Sequence, residues 1–268
     1  MLYKVMIYKD LFKTIGEEMK DLNNDSINPL FTNPNLAKSK LHGPAIWIAG
    51  DPNDLSPWLD SGAVGIVTNT VVLNEMVKKY GQLTEVIKRY IDITDKPIAV
   101  EIDGHTSNEL LEVGEVFTKM SDQIILKIPA TNYALKAFSE LKKSGIPTFC
   151  TTVFTLSQAV SVAQAGATHI LPFCEPYRDV NGDPTKLIRE CKQLFDGWEN
   201  RPFLTAALVR SVDTAYQALK DGSDGIIVFW PIFRDMMQNH LTDEWNKIFL
   251  DEWNSMVDAK LMKGIPIQ

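Results

Sequence analysis

From residue 44 onward, short apolar runs alternate with longer segments in which apolar residues recur every three or four positions. The runs lie at 45–50, 64–68, 97–102, 124–128, 147–153, 169–173, 203–208 and 225–230. They are apolar nearly throughout instead of alternating with polar residues, as expected of strands buried on both faces of a parallel sheet. The periodic segments between them predict helices over 51–60, 71–90, 107–120, 133–144, 156–165, 184–195 and 212–220. Several of these helices end in Ser-Gly, Ala-Gly or Asp-Gly just before the next strand, where glycine supplies the left-handed residue a helix C-terminus needs. Eight such strand-helix units are the number that closes a (β/α)8 TIM barrel. An open doubly wound sheet would carry a glycine-rich phosphate loop after its first strand, and AGDPND is not one.

The ends of the chain read differently. Leu11, Ile15 and Met19 share a helical face, and an Asn-, Asp- and Pro-rich segment follows. Residues 1–43 are therefore expected to form an N-terminal extension packing on the barrel of residues 44–240. Residues 241–268 form a C-terminal segment with a helix over 241–262. In that helix Thr242 is a good cap, and Trp245, Ile248, Phe249, Trp253 and Met256 share one face. Such a helix lies on its own barrel or embraces a neighbouring subunit.

Composition narrows the function. A chain of 268 residues that is 45% hydrophobic supports one large core. The net charge of −7, without a basic cluster, argues against nucleic acid. Three cysteines without metal-type spacing suit a reducing compartment, and four scattered histidines support no metal site. No apolar run reaches membrane-spanning length, and the first twenty residues lack the pattern of a signal peptide. The expectation is a cytoplasmic protein that contacts neither membrane nor nucleic acid.

One position breaks the apolar code. Lys127 sits inside the run Ile124–Pro129, where its ammonium must be desolvated. A desolvated lysine has a depressed pKa and a neutral amine able to attack a carbonyl. Pro129 cannot donate to a ladder and ends the strand, so Lys127 lies near its carboxyl end, where barrels place their chemistry. The other strand ends supply Asp51, Asn69, Glu101, Asp103, Thr151, Phe173 and Arg210. A carboxylate and a hydroxyl beside such a lysine could carry protons as a carbinolamine loses water.

The motifs LKIPAT around Lys127, VTN at 67–69, VEID at 100–103, TTVFTLSQA at 151–159 and AGATHILPF at 165–173 occur in an order that resembles the transaldolase family. The resemblance includes its smaller branch, the fructose 6-phosphate aldolases, and covers residues 46–253. It implies a barrel enzyme that needs no cofactor or metal, with Lys127 forming a Schiff base to a ketose or ketose phosphate. It further implies that Glu101 and Thr151 hold the proton-shuttling water, that Asn69 binds substrate hydroxyls and that Arg210 contacts phosphate. Phe173 stands where transaldolases carry Phe and the aldolase branch Tyr, which favours transfer of a dihydroxyacetone unit. FTNPN at 31–35 looks more like the second-strand motif than residues 67–71 do, but lies one unit too early and follows no buried strand. Residues 240–253 resemble the terminal helix with which the short branch clasps a neighbour, implying a homo-oligomer larger than a dimer and built on pentamers.

The departures are specific. The family's first-strand aspartate falls on Ala49, with Asp51 two residues on. An expected asparagine is Phe149, two serines are Leu171 and Leu208, and an arginine after the sixth strand is Pro176. Arg178 is a possible substitute for that arginine. These changes keep open a Schiff-base reaction on another carbonyl compound, or a non-catalytic sugar-binding relative.

Overall fold

The computed structural model describes residues 44–265. The N-terminal extension and the 31–35 segment lie outside the described residues. Eight parallel strands close into a barrel in chain order, β8 pairing with β1. They are β1 (Ala45–Ala49), β2 (Gly65–Val67), β3 (Ile98–Glu101), β4 (Ile124–Pro129), β5 (Thr148–Val153), β6 (His169–Pro172), β7 (Phe203–Val209) and β8 (Gly225–Phe229).

The outer layer consists of α1 (Pro52–Asp60), α2 (Thr70–Tyr80), α3 (Leu83–Asp92), α4 (Ser107–Thr118), α5 (Ala134–Lys143), α6 (Leu156–Ala165), α7 (Glu175–Asp179), α8 (Lys186–Phe195), α9 (Val212–Lys220) and α10 (Trp230–Asp235). The helix expected over 71–90 is two helices, α2 and α3. Gly81 ends α2 at φ 101, a backbone region that an L side chain resists, and its N–H closes on the Val77 carbonyl. Many of the helices start on a side-chain cap at the strand exit: Asp51 for α1, Asn69 for α2, Thr106 for α4, Thr155 for α6 and Ser211 for α9. A last helix, α11 (His240–Asp258), buries none of its residues.

Two cores result. The larger one lies between strands and helices and includes Ile48, Ile66, Leu126, Ile170 and Val228. The smaller one fills the barrel and includes Trp47, Val67, Ala99, Phe149, Leu171 and Ala207. Space for Trp47 comes from Gly65, its register partner on β2, where a Cβ would lie 2.4 Å from the indole ring. Beside Trp47, Phe149 begins a stack that runs down through His169 to Phe203, with centroids 4.2 and 4.9 Å apart, and closes the amino-terminal end.

The strand registers order the barrel interior in rings of four contributed by alternate strands. Trp47, Ala99, Phe149 and Thr205 form the floor. Val67, Lys127, Leu171 and Ile227 lie above it, followed by Ala49, Glu101, Thr151 and Ala207. Asn69, Pro129, Phe173 and Phe229 form the rim. In β5 and β7 the register shifts after Cys150 and Ala206, where Thr152 (φ 57) and Leu208 (φ 53) adopt left-handed backbone.

Candidate active site

Lys127 is the only basic residue in these rings. It is 4% exposed, and Glu101 is its register partner on β3. Their side chains form an ion pair inside the barrel, and the ammonium also donates to the Thr68 carbonyl at 3.0 Å. Burial drives the Lys127 pKa below the usual lysine range, against the opposing charges of Glu101 and Asp103.

The Thr68 carbonyl is available for a local reason. In a parallel ladder it would accept the Glu101 N–H. Here that N–H donates to the Thr68 hydroxyl at 3.0 Å, while the hydroxyl donates to the Ala99 carbonyl at 3.2 Å. The side chain replaces its own main chain and releases the carbonyl to Lys127. Thr68 lies within the VTN motif, but its role was not readable there, because a backbone acceptor leaves no residue-type signal.

Thr151 stands in the same ring as Glu101, is fully buried, and its hydroxyl has no hydrogen-bond partner among the described residues. Asn69 is half-buried on the rim; its Oδ1 caps α2 by accepting from Val72 N at 2.8 Å, leaving the amide nitrogen for other partners. Phe173, also on the rim, meets Phe154 edge-on at 5.4 Å. These residues and the Lys127–Glu101 pair occupy adjoining rings.

Arg210 is exposed beyond β7, and its backbone N–H donates to Glu175 at 3.3 Å. Its guanidinium forms no ion pair among the described residues. Arg178 is committed elsewhere: its Nε lies 3.2 Å from the buried Glu175 carboxylate, and its Nη2 reaches Asp213 at 3.3 Å and Thr214 at 2.8 Å.

Asp51 does not enter the barrel. The chain leaves strand geometry at Gly50 (φ 152), and the carboxylate caps α1. It pairs with Lys79 at 2.6 Å and accepts from the Tyr80 hydroxyl at 2.7 Å, both on α2. The first-strand position in the ring beside Glu101 is Ala49, so β1 supplies no carboxylate there.

Among the described residues no cluster of His, Cys, Asp or Glu could hold a metal ion, and no helix is long and apolar enough to cross a membrane.

A family model described as "Transaldolase/Fructose-6-phosphate aldolase" matches residues 17–259. Proteins called "Probable transaldolase" in Streptococcus pyogenes serotype M5 (strain Manfredo) and serotype M49 (strain NZ131) are 32% identical over 191 residues, 71% of this chain and 88% of theirs. A solved structure titled a "putative phosphonomutase", from Burkholderia cenocepacia J2315, superposes with a TM-score of 0.50. It covers 76% of this chain and 93% of its own at 15% identity, a likeness of fold alone.

Proposed function

From the premise that the chain belongs to the transaldolase/fructose-6-phosphate aldolase family, an aldolase-type family, we propose a class I reaction through an imine on Lys127. The observation that carries it is the buried lysine held between the Glu101 carboxylate and the Thr68 carbonyl, beneath the barrel mouth.

Proton transfer within the pair gives a neutral amine and a protonated Glu101. The amine adds to the ketose carbonyl, and the resulting carbinolamine loses water as Glu101 returns its proton to the leaving hydroxyl. The unpartnered Thr151 hydroxyl holds that water. The Glu101 carboxylate then takes the proton of the C4 hydroxyl. The C3–C4 bond breaks, its electrons pass to the iminium nitrogen, and an aldehyde leaves. The enamine, a dihydroxyacetone unit on Lys127, adds to an acceptor aldehyde or is protonated and hydrolysed. Asn69 binds donor hydroxyls through its free amide nitrogen, and Arg210 meets an anionic end of the sugar.

The reading requires no cofactor or metal and extends to a cytoplasmic homo-oligomer assembled through α11, with sugars or sugar phosphates as its partners. A second reading keeps the imine and changes the carbonyl compound; Ala49 and the engagement of Asp51 with Lys79 favour it.

The test is borohydride reduction in the presence of dihydroxyacetone and a panel of ketoses. Intact mass should show one adduct per chain, which peptide mapping places at Lys127 and the Lys127→Met variant lacks. Folded protein without an adduct across a broad panel would overturn both readings and leave a sugar-binding role.

A further inference from the structure

One buried carboxylate at the carboxyl end of the barrel stands outside the rings. Glu175 opens α7, just past the end of β6, and its side chain is 7% exposed. Donors from α7 and from the segment after β7 converge on it. Oε1 accepts from the Thr214 hydroxyl at 2.7 Å and from the Arg210 backbone N–H at 3.3 Å, and Oε2 lies 3.2 Å from Arg178 Nε.

These donors are aimed by their other partners. The fully buried Thr214 hydroxyl accepts from Arg178 Nη2 at 2.8 Å and from Ser211 Oγ at 3.0 Å, so its own proton goes to Glu175. Arg210 directly precedes Ser211, the cap of α9, which puts its N–H at the positive end of that helix. A main-chain N–H, a hydroxyl and a guanidinium at a helix N-terminus are the set that holds a free oxyanion. Here the chain supplies the anion itself.

We propose that Glu175 is a specificity-determining residue: its carboxylate fills an oxyanion site at the exits of β6 and β7 and denies it to phosphate. With Glu175 seated, a phosphorylated sugar meets the Arg210 guanidinium with a buried negative charge behind it. The consequence for sugars rests on the aldolase-type reading, whereas the anion site stands apart from the chemistry at Lys127. Cutting Glu175 back to its Cβ leaves the Thr214 hydroxyl, the Arg210 N–H and Arg178 Nε without their acceptor, and an inorganic phosphate restores one.

Glu175→Ala is the test, with inorganic phosphate as the probe and sodium chloride at equal ionic strength as the control. Urea midpoints report the affinity, because a ligand of the folded state raises them. Phosphate should bind Glu175→Ala at least about tenfold more tightly than the native chain, the size of one charge-assisted hydrogen bond. Adding Arg178→Met should abolish the gain, and adding Arg210→Met should leave most of it, since Arg210 contributes its backbone. Should Glu175→Ala unfold alone, refolding in phosphate but not in chloride gives the same answer. Phosphate no better than chloride, equal affinity in the native chain, or a gain lost with Arg210→Met instead of Arg178→Met overturns the proposal. The kcat/KM ratio of fructose 6-phosphate to fructose should also rise about tenfold in Glu175→Ala, and an unmoved ratio in an active chain overturns the specificity role. A native chain inactive on both sugars removes the aldolase-type reading instead, and the phosphate measurement still decides whether Glu175 fills an anion site.

Discussion

The Thr68 hydroxyl accepts the Glu101 amide N–H that the Thr68 carbonyl would otherwise take, and the carbonyl turns to the Lys127 ammonium. Replacing Thr68 by Val should return that N–H to the carbonyl and remove an acceptor that stabilises the charged lysine. The Lys127 pKa, already lowered by burial, should fall further. Imine trapping rises with pH as the amine deprotonates and levels off above its pKa. The level region in Thr68→Val should therefore begin about one pH unit lower, the equivalent of about 1.4 kcal/mol. Thr68→Ser should keep the native profile; a native profile in the valine variant would remove this role.

Breaking the buried pair from one side should be costly. Lys127→Met leaves the Glu101 carboxylate, 10% exposed, without its counter-ion. The expected loss in urea unfolding is about 3 kcal/mol. Lys127→Met with Glu101→Gln should recover part of it, because the second change removes the stranded charge. A double variant no more stable than Lys127→Met would show that the loss comes from packing.

Acid should act on the base of the barrel as well. Burial pushes His169 down to about 4 from an ordinary 6.5, with the Asp224 charge opposing. Above pH 6.5 the ring is neutral in both folded and unfolded chains and contributes no slope. Between 6.5 and about 4 only the unfolded chain takes up the proton, so stability falls as pH falls, by up to about 3 kcal/mol over the window. Denaturation midpoints between pH 7 and 4.5 should show this slope, and His169→Phe should flatten it.

Phosphate should matter little to the donor. Arg178 is tied to Glu175, Asp213 and Thr214, which leaves Arg210 to meet an anion without serine donors at 171 and 208. The kcat/KM ratio of fructose 6-phosphate to fructose should stay under about a hundredfold. A larger ratio, abolished in Arg210→Ala, would reveal an intact phosphate site.

The exposed Leu241, Leu250, Trp253 and Met256 of α11 give it apolar surface suited to a second copy of the chain. Light scattering at micromolar concentration should report an assembly larger than a dimer, built on pentamers. A monomer would exclude it.

The barrel was legible because each strand is an apolar run and several of the turns carry a glycine signal, local features that survive in one dimension. Lys127 was legible for the opposite reason, as the charge that breaks such a run. Glu101 keeps the inward parity of its strand beside Lys127, whereas Asp51, two residues beyond the inward-facing Ala49, does not. Alternation holds only while the backbone stays extended, and Gly50 ends it. The break between α2 and α3 was missed because apolar periodicity runs through Gly81, whereas φ is invisible in residue order. The role of Thr68 depends on which of two oxygens takes one amide, a choice settled only when β2 and β3 lie side by side.

Trp47 and Phe149 in the floor ring, with His169 and Phe203 stacked below Phe149, make the barrel a cul-de-sac. Whatever enters at the rim must leave by the same doorway. An acceptor cannot queue behind a departing aldehyde; the first product has to clear before the second reactant comes in. Under the proposed imine chemistry, exchange in such a vessel would run as a relay, with the protein holding the carried fragment between visits. The expected kinetic signature of that relay is a set of parallel double-reciprocal lines.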